Sequence, residues 1–341
     1  MQIGVDSFVA TAHAGPPGDA RRVAALLDEI ALADELGLDV FGVGEHHRPD
    51  FVSSAPAVLL AAAAARTKRI RLASAVTVLS SDDPVRVFQQ FATVDLVSQG
   101  RAEIIVGRGS FIESYPLFGL DLEHYDELFA EKLELLLRVR ERTEVTWSGR
   151  HRPALTGQGV YPRPVQNPLP LWIGAGGTPQ SVIRAGQLGL PLMLAIIGGR
   201  PAQFRPLVDL YRKAGREAGH ADQLRLGIHG LGFIAATDGG AREVFWPAYR
   251  EVFGRIGRER GWPPPSRESF DAQCAPEGAL LVGSAETVAA KILAIDAALG
   301  GIDRMTLLLD NRGLLDGPMT RAIELLGSSV APIVRRAKAA G

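Results

Sequence analysis

The run Gly174-Ala175-Gly176-Gly177-Thr178-Pro179-Gln180-Ser181 leaves an apolar, β-rich segment and enters a helical one. A strand, a glycine turn and a helix start, in that order, aim free backbone amides at whatever sits above the helix, where the dipole favours an anion. Pro179 suits the first helical turn. The amides of Gly176, Gly177 and Thr178, with the Ser181 hydroxyl, are therefore candidate phosphate ligands. A glycine turn without a ligand is the bland alternative. A dinucleotide fingerprint would need glycine where Pro179 stands and an acidic residue roughly 20 positions on. Residues Leu192–Gly199 contain no Asp or Glu, so a mononucleotide phosphate is favoured.

Two other segments carry groups able to do chemistry. Gly44-Glu45-His46-His47 ends an apolar run. Successive side chains of an extended segment alternate, so only one of the two histidines faces a given side. Imidazole there would carry protons near neutral pH, or merely satisfy loop carbonyls. A metal site needs at least three convergent ligands. His13, His124, His151, His220 and His229 show no HxH or HExxH spacing, so no metal is expected. Gly107-Arg108-Gly109-Ser110 places a guanidinium between two glycines at another strand end. That arrangement suits a phosphate, or a simple rim ion pair.

These segments must be brought together by a repeating scaffold. Mostly apolar runs occur at Ile3–Val9, Val40–Gly44, Ile70–Val78, Ala102–Gly107, Leu171–Gly174, Pro191–Ile197, Leu226–Ala235 and Met305–Leu309. They read as parallel strands covered on both faces. Helical patterns separate them: Val23, Leu26, Leu27 and Ile30 share one face, as do Phe129, Leu133, Leu136 and Leu137. Asp83-Pro84 reads as an N-cap and first turn, and a last helix starts near Pro318. The alternation predicts an α/β chain forming one (β/α)8 TIM barrel over residues 1–341, with insertions after strands 4 and 7. Ser110–Tyr125 is a long loop, Thr143–Pro168 a Pro- and Gly-rich excursion, and Gly261–Ala279 a candidate mobile lid.

Composition narrows the class further. A net charge of -1 with both signs scattered gives no footprint for nucleic acid or an anionic membrane. Cys274 is the one cysteine, which excludes an internal disulfide and fits a reducing, cytoplasmic setting. No basic segment precedes an apolar one at the N-terminus, and the apolar, uncharged stretch Phe51–Ala65, interrupted by Pro56, falls short of the ~20 residues of a membrane span.

The set Gly44-Glu45-His46-His47, Ser80-Ser81-Asp82-Asp83-Pro84-Val85-Arg86, Gln99-Gly100-Arg101 with Gly107-Arg108-Gly109, Gly176-Gly177-Thr178-Pro179, and Val282-Gly283-Ser284-Ala285-Glu286 resembles the bacterial luciferase-like family of flavin-dependent monooxygenases and oxidoreductases. The resemblance covers nearly the whole chain in order. It implies FMN, reduced in place or delivered by a separate flavin reductase, and oxidation of a small organic substrate by O2 through a flavin C4a-(hydro)peroxide. It places His46 at the reactive edge of the isoalloxazine as the catalytic proton donor or acceptor. It gives Ala75, Val76, Arg108, Ser110, Gly176, Gly177, Thr178 and Ser181 as cofactor-binding residues. Arg108, Gly177, Thr178 and Ser181 would hold the phosphate, and a cis Ala75–Val76 peptide would lie under the ring. It also implies a homodimer through the second and third helices, where Ala57–Ala65 is rich in small residues.

Bacterial luciferase has cysteine where Gly107 stands and a second phosphate-binding arginine where Asp126 stands, so light emission is not expected and the phosphate shell must differ. The substrate pocket does not transfer; Phe8, Phe111, Tyr115 and Ile197 are candidate lining residues. Three other readings stay open: hydride transfer with a deazaflavin coenzyme, a flavin-binding barrel without catalysis, and a metal-dependent hydrolase using His46 and His47.

Overall fold

The computed structural model describes residues 1–11, 15–310 and 317–340, which leaves His13 outside the described residues. Eight strands form the centre: β1 (Gln2–Ser7), β2 (Val40–Val43), β3 (Arg71–Ser74), β4 (Ala102–Gly107), β5 (Leu171–Ala175), β6 (Leu192–Ile196), β7 (Leu226–Ile234) and β8 (Arg304–Leu308). Each pairs in parallel with the next, and β8 returns to β1, so the sheet closes into a barrel. Around it run α1 (Pro16–Glu35), α2 (Pro56–Ala64), α3 (Pro84–Ser98), α4 (Tyr125–Glu141), α5 (Pro179–Gln187), α6 (Arg205–Glu217), α7 (Asp238–Arg260) and α8 (Ala285–Leu299). Among the described residues, no helix is long and apolar enough to cross a membrane.

The elements start where the side chains direct them. The Asp83 carboxylate accepts the amides of Val85 and Arg86, with Pro84 in the first turn of α3. Ser284 caps α8 through the Thr287 amide. Leu26 and Ile30 of α1, and Phe129, Leu133 and Leu136 of α4, are buried between helix and barrel. The interior of the barrel is a separate, smaller cluster of Val40, Ala73, Ile105, Trp172 and Met193.

Four segments depart from the simplest alternation. The expected strand Ile70–Val78 is broken: Arg71–Ser74 pairs with β2 and β4, the Ala75–Val76 peptide is cis, and Thr77–Val78 then pairs with the end of β4. Residues 143–168 form an antiparallel hairpin, Glu144–Trp147 with Leu155–Gly159, before β5. The loop after β4 contains a short helix, Ser114–Leu117. Segment 261–279, the candidate lid, is more ordered than its prolines suggest. It contains a helix, Arg267–Cys274, whose Phe270 and Cys274 are buried, with the Phe270 ring 6.2 Å from that of Phe245 in α7. Strand Leu281–Gly283 then extends the barrel rim beside β7.

Candidate active site at the barrel mouth

The C-terminal ends of the strands hold two clusters, one exposed and polar, the other buried and aromatic. In the first, Arg108 leaves β4 and reaches the start of α5. One of its terminal nitrogens donates to the Thr178 hydroxyl at 3.2 Å and to the Ser181 hydroxyl at 3.3 Å. Thr178 is the N-cap of α5, yet its side chain caps no helix amide. Within that first turn Pro179 has no N–H and the Ser181 amide donates to the Thr178 carbonyl at 3.1 Å, so the helix opens beside three polar side chains with part of its first turn already paired. Gly177 has φ +116, a conformation that L side chains rarely adopt, and a Cβ on Gly176 would meet open space.

Aromatic residues brace Arg108 from behind. The Tyr115 hydroxyl donates to the Arg108 carbonyl at 3.1 Å, and the Tyr125 hydroxyl to that of Gly109 at 3.1 Å. The guanidinium lies 5.0 Å from the Tyr125 ring centre. Asp126, which stands where bacterial luciferase has arginine, forms an ion pair with Arg108. Arg184, one turn beyond Ser181, feels both Arg108 and Asp126 electrostatically; burial and Arg108 push it down, and Asp126 pulls it back. Arg184 is a cationic neighbour of this cluster that the sequence reading missed. The signal was present, since position i+3 from Ser181 on a helix lies on the same face.

The buried cluster centres on His46. Past the end of β2, His46 packs among three phenylalanines, while the His47 ring meets Phe118 edge-on at 5.3 Å. Ring centres of Phe8, Phe51 and Phe111 lie 4.6, 4.4 and 5.4 Å from that of His46. Its backbone amide donates to the Ser53 carbonyl at 2.8 Å, but its Nε2 is buried without a partner. Burial, then the positive neighbours His47 and Arg48, push the imidazole down to about 3. His46 is therefore neutral at pH 7. Glu45 positions the turn: one carboxylate oxygen accepts the Val78 amide at 2.9 Å, the other lies 3.0 Å from His47 Nε2.

Phe8 is itself fixed by an unusual bend. Val9 has φ 55, rare for a β-branched residue. The buried Asp310 carboxylate at the end of β8 accepts the amides of Phe8 and Ala10 and the Ser7 hydroxyl, at 3.0, 3.0 and 2.8 Å. The broken strand matters here too. A Cβ on Gly107 or Gly174 would lie 2.8 Å from a Val76 methyl. Glycine at 107 thus makes room for Val76.

Salt bridges cap the buried cluster. Arg48 bonds Glu113 and Glu259, each at 2.8 Å, and stacks 4.4 Å from the Phe111 ring centre. Arg260 donates to the Ser110 carbonyl at 2.8 Å. Arg260, at the C-terminal end of α7, also lies 5.6 Å from the Phe111 ring centre. Ser110 is exposed on this rim, apart from the hydroxyls that Arg108 bonds; Ile197 is also exposed, and Tyr115 is buried under the loop instead of lining a pocket. Among the described residues, one group of potential metal ligands converges elsewhere: His124, Glu127 and His151. The same Glu127 oxygen also pairs with Arg150 at 2.9 Å, so this is an ion-pair knot that pins the hairpin to α4.

A closed eight-stranded barrel with its reactive groups at the strand C-termini defines a (β/α)8 barrel enzyme. The chain belongs to the luciferase-like monooxygenase family, whose model matches residues 1–303. It is 28% identical over 326 residues to 4-hydroxyprotoasukamycin monooxygenase of Streptomyces nodosus subsp. asukaensis, covering 88% of this chain and 83% of that protein. It is 32% identical over 177 residues to the F420-dependent glucose-6-phosphate dehydrogenase of Amycolatopsis mediterranei, covering 48% of this chain and 51% of that protein. An uncharacterized protein of Sinorhizobium fredii, y4wF, is 32% identical over 57% of this chain and 56% of its own length. The chain thus spans about half the length of the first curated relatives it matches. Monooxygenase RslO1 from Streptomyces bottropensis superposes with a TM-score of 0.84 at 24% identity, over 97% of this chain and 99% of that one. The oxygenating constituent of 3,6-diketocamphane monooxygenase from Pseudomonas putida, solved with FMN, superposes at 0.79 and 20% identity, over 98% of each chain. These superpositions establish the fold, and the family model establishes membership of the luciferase-like monooxygenases.

Proposed function

We propose that this chain is an FMN-dependent monooxygenase that oxidises a small organic substrate with O2. The observation that carries the proposal is the convergence at the mouth: Arg108, Thr178 and Ser181 meet at the N-terminus of α5, while His46 keeps a buried, unpartnered Nε2. Both ends of a phosphorylated flavin find matching chemistry in these residues. Arg108, Thr178, Ser181 and the amides of Gly176, Gly177 and Thr178 would hold the phosphate. Ala75 and Val76 would support the ring.

Bound reduced FMN supplies the two electrons that divide O2 between substrate and water. The chain's own residues do the rest. His46, neutral at pH 7, offers one hydrogen bond at the reacting centre without adding charge. Phe8, Phe51 and Phe111 exclude water from it. Arg48 and the end of α7 close over the pocket, and must part for substrate to enter. The enzyme acts as one domain in the cytoplasm, served by reduced FMN made in place or by a separate reductase. It pairs through α2 and α3: the outward face of α2 exposes Val58 (66% exposed), Ala62 and Ala65, leaving that helix apolar on both sides. Light scattering on the purified protein checks the dimer.

The test is a titration with oxidised FMN and with the deazaflavin F420, followed by reduction and oxygen exposure. Saturable FMN binding, with oxygen consumption coupled to product across a substrate panel, is the expected result. Binding of F420 with no FMN binding would favour the second reading, hydride transfer, which the similarity to an F420-dependent dehydrogenase supports. Flavin turnover that yields no oxidised product would leave only a flavin-binding barrel.

A further inference from the structure

Phe8 has a second imidazole on its other flank. The His229 ring stacks on it at 5.8 Å with an interplanar angle of 13°, whereas His46 meets its edge. His229 comes from β7, and its Nδ1 lies 2.6 Å from Asp6 Oδ2 on β1. The Thr306 hydroxyl on β8 donates to the same oxygen. Three adjacent strands thus converge on one carboxylate inside the barrel, directly beneath the mouth. A Cβ on Gly42 would fall 2.1 Å from Asp6 Oδ1, so β2 carries glycine where the carboxylate must fit. Asp6 and His229 are 2% and 9% exposed.

This geometry fixes the tautomer. An ionised carboxylate only accepts, so Nδ1 must carry the proton and Nε2 keeps its lone pair. We propose that His229 is a second catalytic residue of this site, a base whose Nε2 faces the bound cofactor and substrate, with Asp6 and Thr306 as positioning residues. The proposal rests on the flavin reading above. In the overall reaction, reduced FMN, O2 and substrate give oxidised FMN, oxygenated substrate and water. The reduced flavin loses two electrons and two protons, one O–O bond breaks, and both protons end on water. His229 takes one of those protons on Nε2 as the flavin is oxidised and returns it to the oxygen that leaves as water. Asp6 balances the imidazolium in the interval.

The first test needs no cofactor. Nitrogen-15 NMR of the histidine rings in the FMN-free protein, with the His229 signals assigned by loss in His229→Gln, is expected to show the Nδ1–H tautomer at alkaline pH. An Nε2–H tautomer would overturn the proposal. The second test follows reoxidation of bound reduced FMN by O2. His229→Ala should slow it on the order of 100-fold, leave FMN affinity within about threefold, and recover in part with added imidazole. Asp6→Asn should slow it similarly, without recovery in imidazole, and switch the His229 tautomer. An unchanged rate in His229→Ala, with FMN still bound, would overturn the assignment. If the unaltered protein binds no FMN, the flavin reading fails, and the NMR result alone decides whether the Asp6–His229 pair is set up as a base.

Discussion

Among the described residues, the carboxylates of Glu103 and Asp6 lie inside the barrel, one at each end, and they are finished differently. Near the N-terminal ends of the strands, Glu103 accepts two bonds from Arg304, at 2.6 and 3.1 Å, and pairs with Arg71 as well. Arg304 also donates to Gln2 at 2.8 Å and lies 4.3 Å over the Trp172 ring. That network closes on itself. At the opposite end, Asp6 binds His229 and Thr306 but leaves one imidazole nitrogen unspoken for in that network, and His46 nearby has a buried nitrogen with no partner at all. A saturated buried ion pair has nothing left to offer a ligand, so it serves the fold. The network left incomplete at the mouth is the one that can act on something bound there.

The largest expected effect tests the saturated end. Arg304→Met removes one partner of a fully buried pair and should cost roughly 3–5 kcal/mol of stability at pH 7, read by urea denaturation. Burial alone would raise the Glu103 carboxyl, but Arg304 and Arg71 prevail and hold it below its usual value of 4.5. A carboxyl lowered in the folded state contributes stability above its unfolded pKa, which is lost as pH falls through the folded pKa. In the variant that loss should begin at higher pH. A change below about 1 kcal/mol would show that the bottom network is dispensable.

At the unsaturated end, the next effect falls on chemistry rather than on folding. His46→Ala should leave FMN affinity within a few-fold and reduce coupled oxidation on the order of 100-fold or more. Unchanged oxidation would remove His46 from the reaction. Arg108→Ala separates the two halves of the mouth. Charged hydrogen bonds contribute about 1.5–3 kcal/mol each way, so FMN should bind roughly 10- to 100-fold more weakly, while riboflavin, which lacks the phosphate, should be unaffected. Equal losses for both ligands would place Arg108 somewhere other than the phosphate.

The contrast between the two ends also shows what sequence could reveal. Parallel strands read as apolar runs because both faces are covered, and two helix starts announce themselves locally, one by the Asp83 cap before Pro84 and the other by Pro179 in the first turn. Arg108 and Ser181 lie 73 positions apart, yet both were legible because each ends or begins a regular element. The pairs joining distant strands were not. Asp6 and His229 are separated by 223 positions, and neither stands in a motif. His229 looked like any residue of a buried strand. The Phe270 helix was hidden for a different reason: three prolines precede it, and the apolar face it buries is only Phe270 and Cys274. Closure of the mouth depends on pairs such as Arg48–Glu259, between loops whose approach only the closed barrel determines.

The smallest effect has the opposite sign. Asp126 pairs with Arg108 while itself 75% exposed, and an exposed pair contributes at most about 1 kcal/mol. The same carboxylate would face a bound phosphate across one guanidinium, so its negative charge opposes the ligand. Asp126→Asn should therefore tighten FMN binding by about two- to fivefold at low salt. The gain should fade as salt rises, because the screening length shortens to about 8 Å at physiological ionic strength. Riboflavin binding should not change, since the repulsion needs the phosphate. Weaker FMN binding in this variant would mean that Asp126 chiefly holds Arg108 in the posture the phosphate requires. In that case the departure from arginine at this position is part of the clamp, with Arg184 supplying the second positive charge from α5.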